Sequence, residues 1–101
     1  MDSDLAGQRA VVTGAARGIG LGIAHRLAEL GVHVCSWDTD NQPIESDPAF
    51  AHRCDVDVAD EASVARAADE TLAALERIDI LVNNAGVNGP TRPAWEYTVA
   101  D

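Results

Sequence analysis

Apolar residues along the chain alternate between short continuous runs and stretches with a four-four-three beat. Arg9 to Thr13, centred on Ala10, Val11 and Val12, reads as a short buried strand. Glycines interrupt it at once, and a helical rhythm follows. Ile19, Ile23, Leu27 and Leu30, with Ala24 and Ala28 beside them, predict one apolar helix face. Gly31 stands where a helix C-terminus favours glycine. Val32 to Trp37 (VHVCSW) predicts a second strand, rich in β-branched and aromatic residues and closed by Asp38. Thr39 to Pro48 is polar and carries Pro43 and Pro48, so an irregular or one-turn connection is expected rather than a helix. Phe50 to Cys54 predicts a third strand. Asp60 is placed as the N-cap of a helix over Glu61 to Leu75, whose apolar face would be Val64, Ala68, Leu72 and Leu75. Ile78 to Val82 (IDILV) predicts a fourth strand. Val87 onward is loop-like, with Gly89, Pro90 and Pro93, and Trp95 to Ala100 reads as the start of a helix.

The order is β-α-β-(loop)-β-α-β. Such alternation predicts an α/β fold with a parallel sheet and right-handed crossovers, and the expected strand order is 3-2-1-4. That is one Rossmann half plus the strand past the switch point, incomplete relative to a full doubly wound domain. Residues 1–101 are read as the N-terminal, dinucleotide-binding part of a single domain. The fourth strand supports a longer parent chain, because IDILV left as a terminal edge would be apolar and unpaired, an aggregation liability.

Charge narrows the partners. The formal net charge is −10, from 17 acidic residues against 7 basic ones, all arginine. This argues against a nucleic-acid or anionic-membrane surface, while leaving room for a local phosphate site built from main-chain N–H groups. The opening MDSDLAGQR lacks an apolar signal region, and no apolar run has the length of a membrane span. A cytoplasmic protein is expected. Cys35 and Cys54 fit no zinc-ligand spacing and read as small core residues; no metal is expected. The acids Asp55, Asp57 and Asp60 match no EF-hand loop and are assigned to capping and solvation. His33 should point away from the core.

The chemistry lies in Val11 to Gly22, VVTGAARGIGLG. Gly14, Gly18 and Gly20 fall between strand and helix, where main chain must approach a ligand closely and where the first N–H groups of a helix lack partners. A pyrophosphate is the natural guest. The spacing, G-x-x-x-G-x-G, differs from G-x-G-x-x-G, and alone it could mark a turn that merely closes a βα unit. Asp38, twenty residues beyond Gly18, is where a carboxylate binds the 2′-hydroxyl of an adenosine ribose and repels a 2′-phosphate. Asn83-Asn84-Ala85-Gly86 ends the fourth strand with small residues, which admit a ligand at the carboxyl end of a parallel sheet.

Together these residues resemble the short-chain dehydrogenase/reductase family. Thr13-Gly14-Ala15-Ala16-Arg17-Gly18-Ile19-Gly20 matches its T-G-x-x-x-G-x-G turn, and Asn83 to Gly86 matches its N-N-A-G element; the likeness runs from about Leu5 to Asp101. The resemblance implies that Gly14, Arg17, Gly18, Ile19 and Gly20 line the pyrophosphate and adjoining ribose. It implies that Asp38 holds the adenosine ribose hydroxyls, that Asp57 and Val58 flank adenine, and that Asn83, Ala85 and Gly86 contact the middle of the cofactor. Arg17 is of a kind found more with NADP in this family. Asp38 outweighs it, since a carboxylate beside a 2′-phosphate is a direct repulsion. NAD is expected over NADP.

The family's catalytic serine and Tyr-x-x-x-Lys pair lie beyond N-N-A-G, with a catalytic asparagine between. None has a match here. Tyr97 is followed by Thr98, Val99, Ala100 and Asp101; the chain has no lysine; and Ser3, Ser36, Ser46 and Ser63 all precede the fourth strand. The crossover at Thr39 to Pro48 is also shortened. The implied parent is a homo-oligomeric oxidoreductase moving hydride between a nicotinamide and a small alcohol or ketone, resembling 3-oxoacyl thioester reductases or sugar-alcohol dehydrogenases. The rival from another class is a non-catalytic dinucleotide-binding module, or a subunit completed by a partner.

Overall fold

The computed structural model describes residues 4–84, together with the backbone of 98–100. In chain order the elements are β1 (Arg9–Thr13), α1 (Gly18–Glu29), β2 (His33–Asp38), a 3-10 turn (Gln42–Ile44), β3 (Phe50–Asp55), α2 (Glu61–Leu75), β4 (Ile80–Val82) and β5 (Thr98–Ala100). The sheet order is β3-β2-β1-β4-β5. The first four strands are parallel in the expected order, with β1 central: Ala10 stands opposite Val34 on one side and Ile80 on the other.

Both faces of the sheet are covered, which is why β1 reads as a continuous apolar run. Ala10, Val12, Val34 and Val82 pack with Ala24 of α1 and with Ile44 and Phe50. Val11, Cys35, Trp37 and Cys54 pack with Ala67 and Leu75 of α2. The connection after β2 is the expected single turn. It is pinned by Ile44 in the core and by Arg53, whose guanidinium donates to the carbonyls of Ile44 (2.8 Å) and Asp47 (2.5 Å). Among the described residues no helix is long and apolar enough to cross a membrane.

Four expectations change. Thr98–Ala100 forms a strand antiparallel to β4, not a helix start; Trp95 to Tyr97 lie outside the described residues. Its partners are the main-chain groups that β4 would otherwise leave open, so the exposed-edge argument for a longer chain does not hold for β4. The second strand begins at His33 and the fourth at Ile80, one and two residues later than expected. The buried line of α2 is Ser63, Ala67, Thr71 and Leu75, while Leu72 is 45% exposed. Apolar spacing misjudged the phase because Ser63 and Thr71 bury hydroxyls that are hydrogen-bonded. Ile19, expected on the core face of α1, is 66% exposed at the open end of the sheet.

One irregularity matters below. The β2–β3 register steps from Val34↔Phe50 to Cys35↔His52, so Ala51 is an extra residue in β3. Phe50 therefore packs on the α1 side, whereas Cys54 packs on the α2 side.

Candidate functional site

The carboxyl ends of β1 to β4 meet at one rim. β1 ends in the glycine turn. Gly14 (φ 65°) and Gly18 (φ 61°) adopt left-handed conformations that side chains with a Cβ resist. Gly20 is required for another reason. A Cβ there would overlap the Gly14 carbonyl oxygen and come within 2.9 Å of Asn84 Nδ2. The helix start, the turn and the end of β4 are thus in close contact. Gly14 N–H donates to Trp37 O (2.8 Å), tying the turn to β2.

α1 has no side-chain cap at Arg17 and no acidic residue in its first turn. Its leading N–H groups thus have no capping side chain, and the helix dipole favours an anion there.

Asp38 closes β2 beside this cradle. Ala16 N–H donates to its Oδ2 (3.1 Å) and Asp40 N–H donates to its Oδ1 (3.1 Å). The carboxylate is therefore anchored across the glycine turn, 22 positions from Ala16 in sequence. Arg17 is exposed and pairs with Asp40 (3.5 Å), not with Asp38. Asp57 and Val58 follow β3 on the same rim, both exposed; Asp57 N–H donates to Ser63 Oγ (3.0 Å), which seats the loop on α2. Asp60 caps α2 as expected, accepting from Ala62 N–H (3.0 Å). Asn83 is exposed just past β4. Ala85 and Gly86 lie outside the described residues.

Two side chains support the rim in roles that the sequence did not assign them, Thr13 although it opens the glycine motif. Thr13 is buried and clasps the ends of β1 and β4. Its hydroxyl accepts from Asn84 N–H (2.6 Å) and lies within reach of Val82 O (3.4 Å) and Asn83 Oδ1 (3.3 Å). Asn41 plugs the gap between β2 and β3. Its Nδ2 donates to Cys54 O (2.8 Å) and Asp55 Oδ1 (2.8 Å), with Asp38 O at 3.3 Å, and its Oδ1 accepts from Ser36 Oγ (2.6 Å). No spacing rule singles out this asparagine within a polar loop. His33 is exposed, as expected. Cys35 and Cys54 are both free and buried. Burial pushes the Cys35 thiol up to about 12, and the Cys54 thiol is raised for the same reason.

A cradle of bare main chain, an uncapped helix start and an anchored carboxylate fit a dinucleotide: diphosphate on the turn, ribose at the carboxylate. Comparison with known proteins agrees with this geometry. Residues 8–101 match the family described as short chain dehydrogenase. A 2-dehydro-3-deoxy-L-rhamnonate dehydrogenase (NAD(+)) of Sphingomonas sp. (strain SKA58) is 40% identical, over 93% of this chain and 39% of that relative. A D-threitol dehydrogenase of Mycolicibacterium smegmatis is 44% identical, over 99% of this chain and 41% of that relative. The chain thus spans about two fifths of these relatives' length. Among solved structures, an NAD+-bound xylitol dehydrogenase superposes with a TM-score of 0.78 at 32% identity, covering 94% of this chain and 39% of that one. A 3-ketoacyl-(acyl-carrier-protein) reductase from Brucella melitensis, complexed with NADH, gives 0.77 at 34% identity, covering 91% and 40%. The fold, the glycine turn and these matches agree: the chain belongs to the short-chain dehydrogenase/reductase family.

Proposed function

We propose that this chain forms the cofactor-holding half of an NAD-dependent oxidoreductase acting on a small polyhydroxylated alcohol or its ketone. The observation that carries the reading is the Asp38 carboxylate, bonded to Ala16 N–H at the lip of the glycine turn. In this reading the main chain of Gly14 to Gly20 receives the pyrophosphate, with Arg17 and Ile19 over the adjoining ribose. Asp38 accepts the hydroxyls of the adenosine ribose; Asp57 and Val58 flank adenine; Asn83, Ala85 and Gly86 meet the middle of the cofactor. The 66% exposure of Ile19, at a helix start rather than in the core, is explained if the cofactor covers it.

The nicotinamide, when bound, accepts or delivers hydride. Asp38 sets which dinucleotide enters. A 2′-phosphate at that lip would face a fixed carboxylate, and Arg17, on the glycine turn, is engaged with Asp40. Solved relatives include complexes with NAD+, with NADH and, in a metagenomic short-chain oxidoreductase, with NADP. The anchored carboxylate favours NAD here. The substrate class rests on the rhamnonate, threitol and xylitol dehydrogenases among the relatives. Thioester reduction is the competing choice, supported by the ketoacyl reductase neighbour.

In this reading the forming alkoxide takes its proton from the family's tyrosine, and this chain contains no lysine and no matching Tyr-x-x-x-Lys. That group would come from polypeptide outside these 101 residues. A second reading, a non-catalytic dinucleotide-binding module, is favoured by one observation: β5 covers the edge of β4. Expressing the full reading frame and assaying a panel of polyols with NAD+ separates the readings. NAD+-dependent oxidation of a polyol is the expected result. Tight NADH binding with no turnover of polyols, ketones or thioesters would leave the module reading in its place.

A further inference from the structure

Away from the rim, on the α2 side of β3, three side chains converge that the cofactor reading does not use. The nitrogen of His52, the sulfur of Cys54 and a carboxylate oxygen of Glu70 all lie within 4.8 Å of one another. His52 and Cys54 alternate along one strand and share a face. That face is turned toward α2 only because of the extra residue at Ala51, which brings His52 opposite Cys35 and Cys54 opposite Trp37. Glu70 reaches in from α2, one residue before the buried Thr71. The sequence spacing, His-x-Cys with a glutamate sixteen residues later, corresponds to no familiar metal motif, so the set is visible only in the fold.

We propose that His52, Cys54 and Glu70 form a binding site for a zinc-class divalent cation that fastens β3, the end strand of the sheet, to α2. The donors are one nitrogen, one sulfur and one oxygen. Zinc accepts all three, whereas magnesium and calcium require oxygen throughout. A Cys54 thiolate and a Glu70 carboxylate balance a doubly charged ion. Binding releases the thiol proton to solvent, one per ion. Three protein ligands leave a fourth position for water, and Glu70, which is exposed, marks the open side.

An outer donor is already in place. Thr71 Oγ1 accepts from Trp37 Nε1 (2.9 Å), so its own proton is free to point at sulfur, and Cys54 Sγ lies 3.7 Å away. Such outer contacts orient and tune metal ligands. Cys35 Sγ is 3.5 Å from the same hydroxyl and stays outside the ligand set, fully buried as a neutral thiol.

The test uses the full-length protein, freed of any affinity tag and stripped with a chelator. It is titrated with Co2+ and then Zn2+. The expected result is one equivalent of Co2+ bound with a sulfur-to-cobalt charge-transfer band and the intense visible absorption of a four-coordinate ion, displaced by Zn2+. Glu70→Gln, a change on the exposed side, should weaken Zn2+ at least about tenfold, the range seen when metal-site contacts are lost. Cys54→Ser should abolish the charge-transfer band, with circular dichroism and NADH titration reporting whether the fold survives. Octahedral Co2+ with no sulfur band overturns the proposal. So does Zn2+ affinity unchanged in Glu70→Gln, a readout that stands even if Cys54→Ser fails to fold. NADH titration of the same preparations keeps this result separate from the cofactor reading.

Discussion

In the proposed reading, main-chain groups do the holding at the rim of the sheet; beneath α2, side chains do. The rim is built from Gly14, Gly18 and Gly20, an uncapped helix start, and a single carboxylate anchored to a backbone N–H. The layer under α2 is a polar knot inside an apolar core. Thr71, fully buried, takes the Trp37 indole N–H and lies beside both cysteine sulfurs. The rim tolerates almost no side chain where it is built. The knot depends on particular hydroxyl, indole and thiol groups finding one another. Substitutions should therefore break the two regions differently.

The largest effect is expected at Gly20. In Gly20→Ala the new methyl meets the backbone of Gly14, which cannot step aside without opening the turn. A loss of about 3 kcal/mol in stability is expected, at the upper end of overpacking costs. Cofactor binding should go with it, as read by thermal melting and NADH titration. Gly22, one turn-face away, is the control: a Cβ there meets nothing within 4 Å. Gly22→Ala should leave binding intact and raise stability by about 0.5–1 kcal/mol, the usual gain for alanine over glycine inside a helix. If both variants behave alike, the close approach at Gly20 is not what the site requires.

Thr71→Val comes next and sharpens the contrast. It keeps the shape of the side chain but strands the Trp37 N–H in a sealed layer. Leaving a buried donor unpaired costs about 1–3 kcal/mol. The melting temperature should fall, while NADH affinity in the folded fraction stays at the wild-type value. A variant with weakened NADH binding and unchanged stability would show that the knot serves the rim directly.

The rim was largely legible in the chain because its demands are steric. A Cβ collides with backbone at Gly20 and is resisted by the left-handed backbone at Gly14 and Gly18, so the requirement is written in residue type, and Asp38 falls at a spacing set by one βαβ unit. The strand order followed from alternation of the two rhythms. The knot was not legible. Ser63 and Thr71 count as polar in any periodicity, so the helix phase was placed one residue late, on Val64, Ala68 and Leu72. Ile19 was counted on the core face of α1 for its hydrophobicity, although it faces the open end, where the resemblance set it against the cofactor. Thr98–Ala100 was misread because a strand's partner, here the β4 backbone, has no local signature. His52 and Glu70 drew no notice, since the extra residue at Ala51 that aims the histidine toward α2 leaves no mark in composition.

A smaller effect is expected where the crossover meets α1. His25 Nε2 lies 2.6 Å from Asp47 Oδ2, and this contact, with the Ala49 N–H, holds the Asp47 carboxyl below its ordinary range. A lowered carboxyl stabilises the fold above its unfolded pKa, near 3.9, and that contribution fades as pH falls through the lower folded value. The contribution should be present in full at pH 6 and lost in strong acid. In His25→Gln the acid limb of a melting-temperature profile should be shallower, with little change at the rim. An unchanged acid limb would mean that the His25–Asp47 contact adds nothing to stability.

The most direct measurement is the ratio of NADH to NADPH affinity in the full-length protein, for wild type and for Asp38→Ala. The wild type should favour NADH by more than about tenfold, the equivalent of roughly 1.4 kcal/mol. Asp38→Ala should remove most of that preference, by weakening NADH and by relieving the repulsion of the NADPH 2′-phosphate. NADPH binding as tightly as NADH to the wild type, or a ratio indifferent to Asp38, would contradict the assignment of this carboxylate to the ribose.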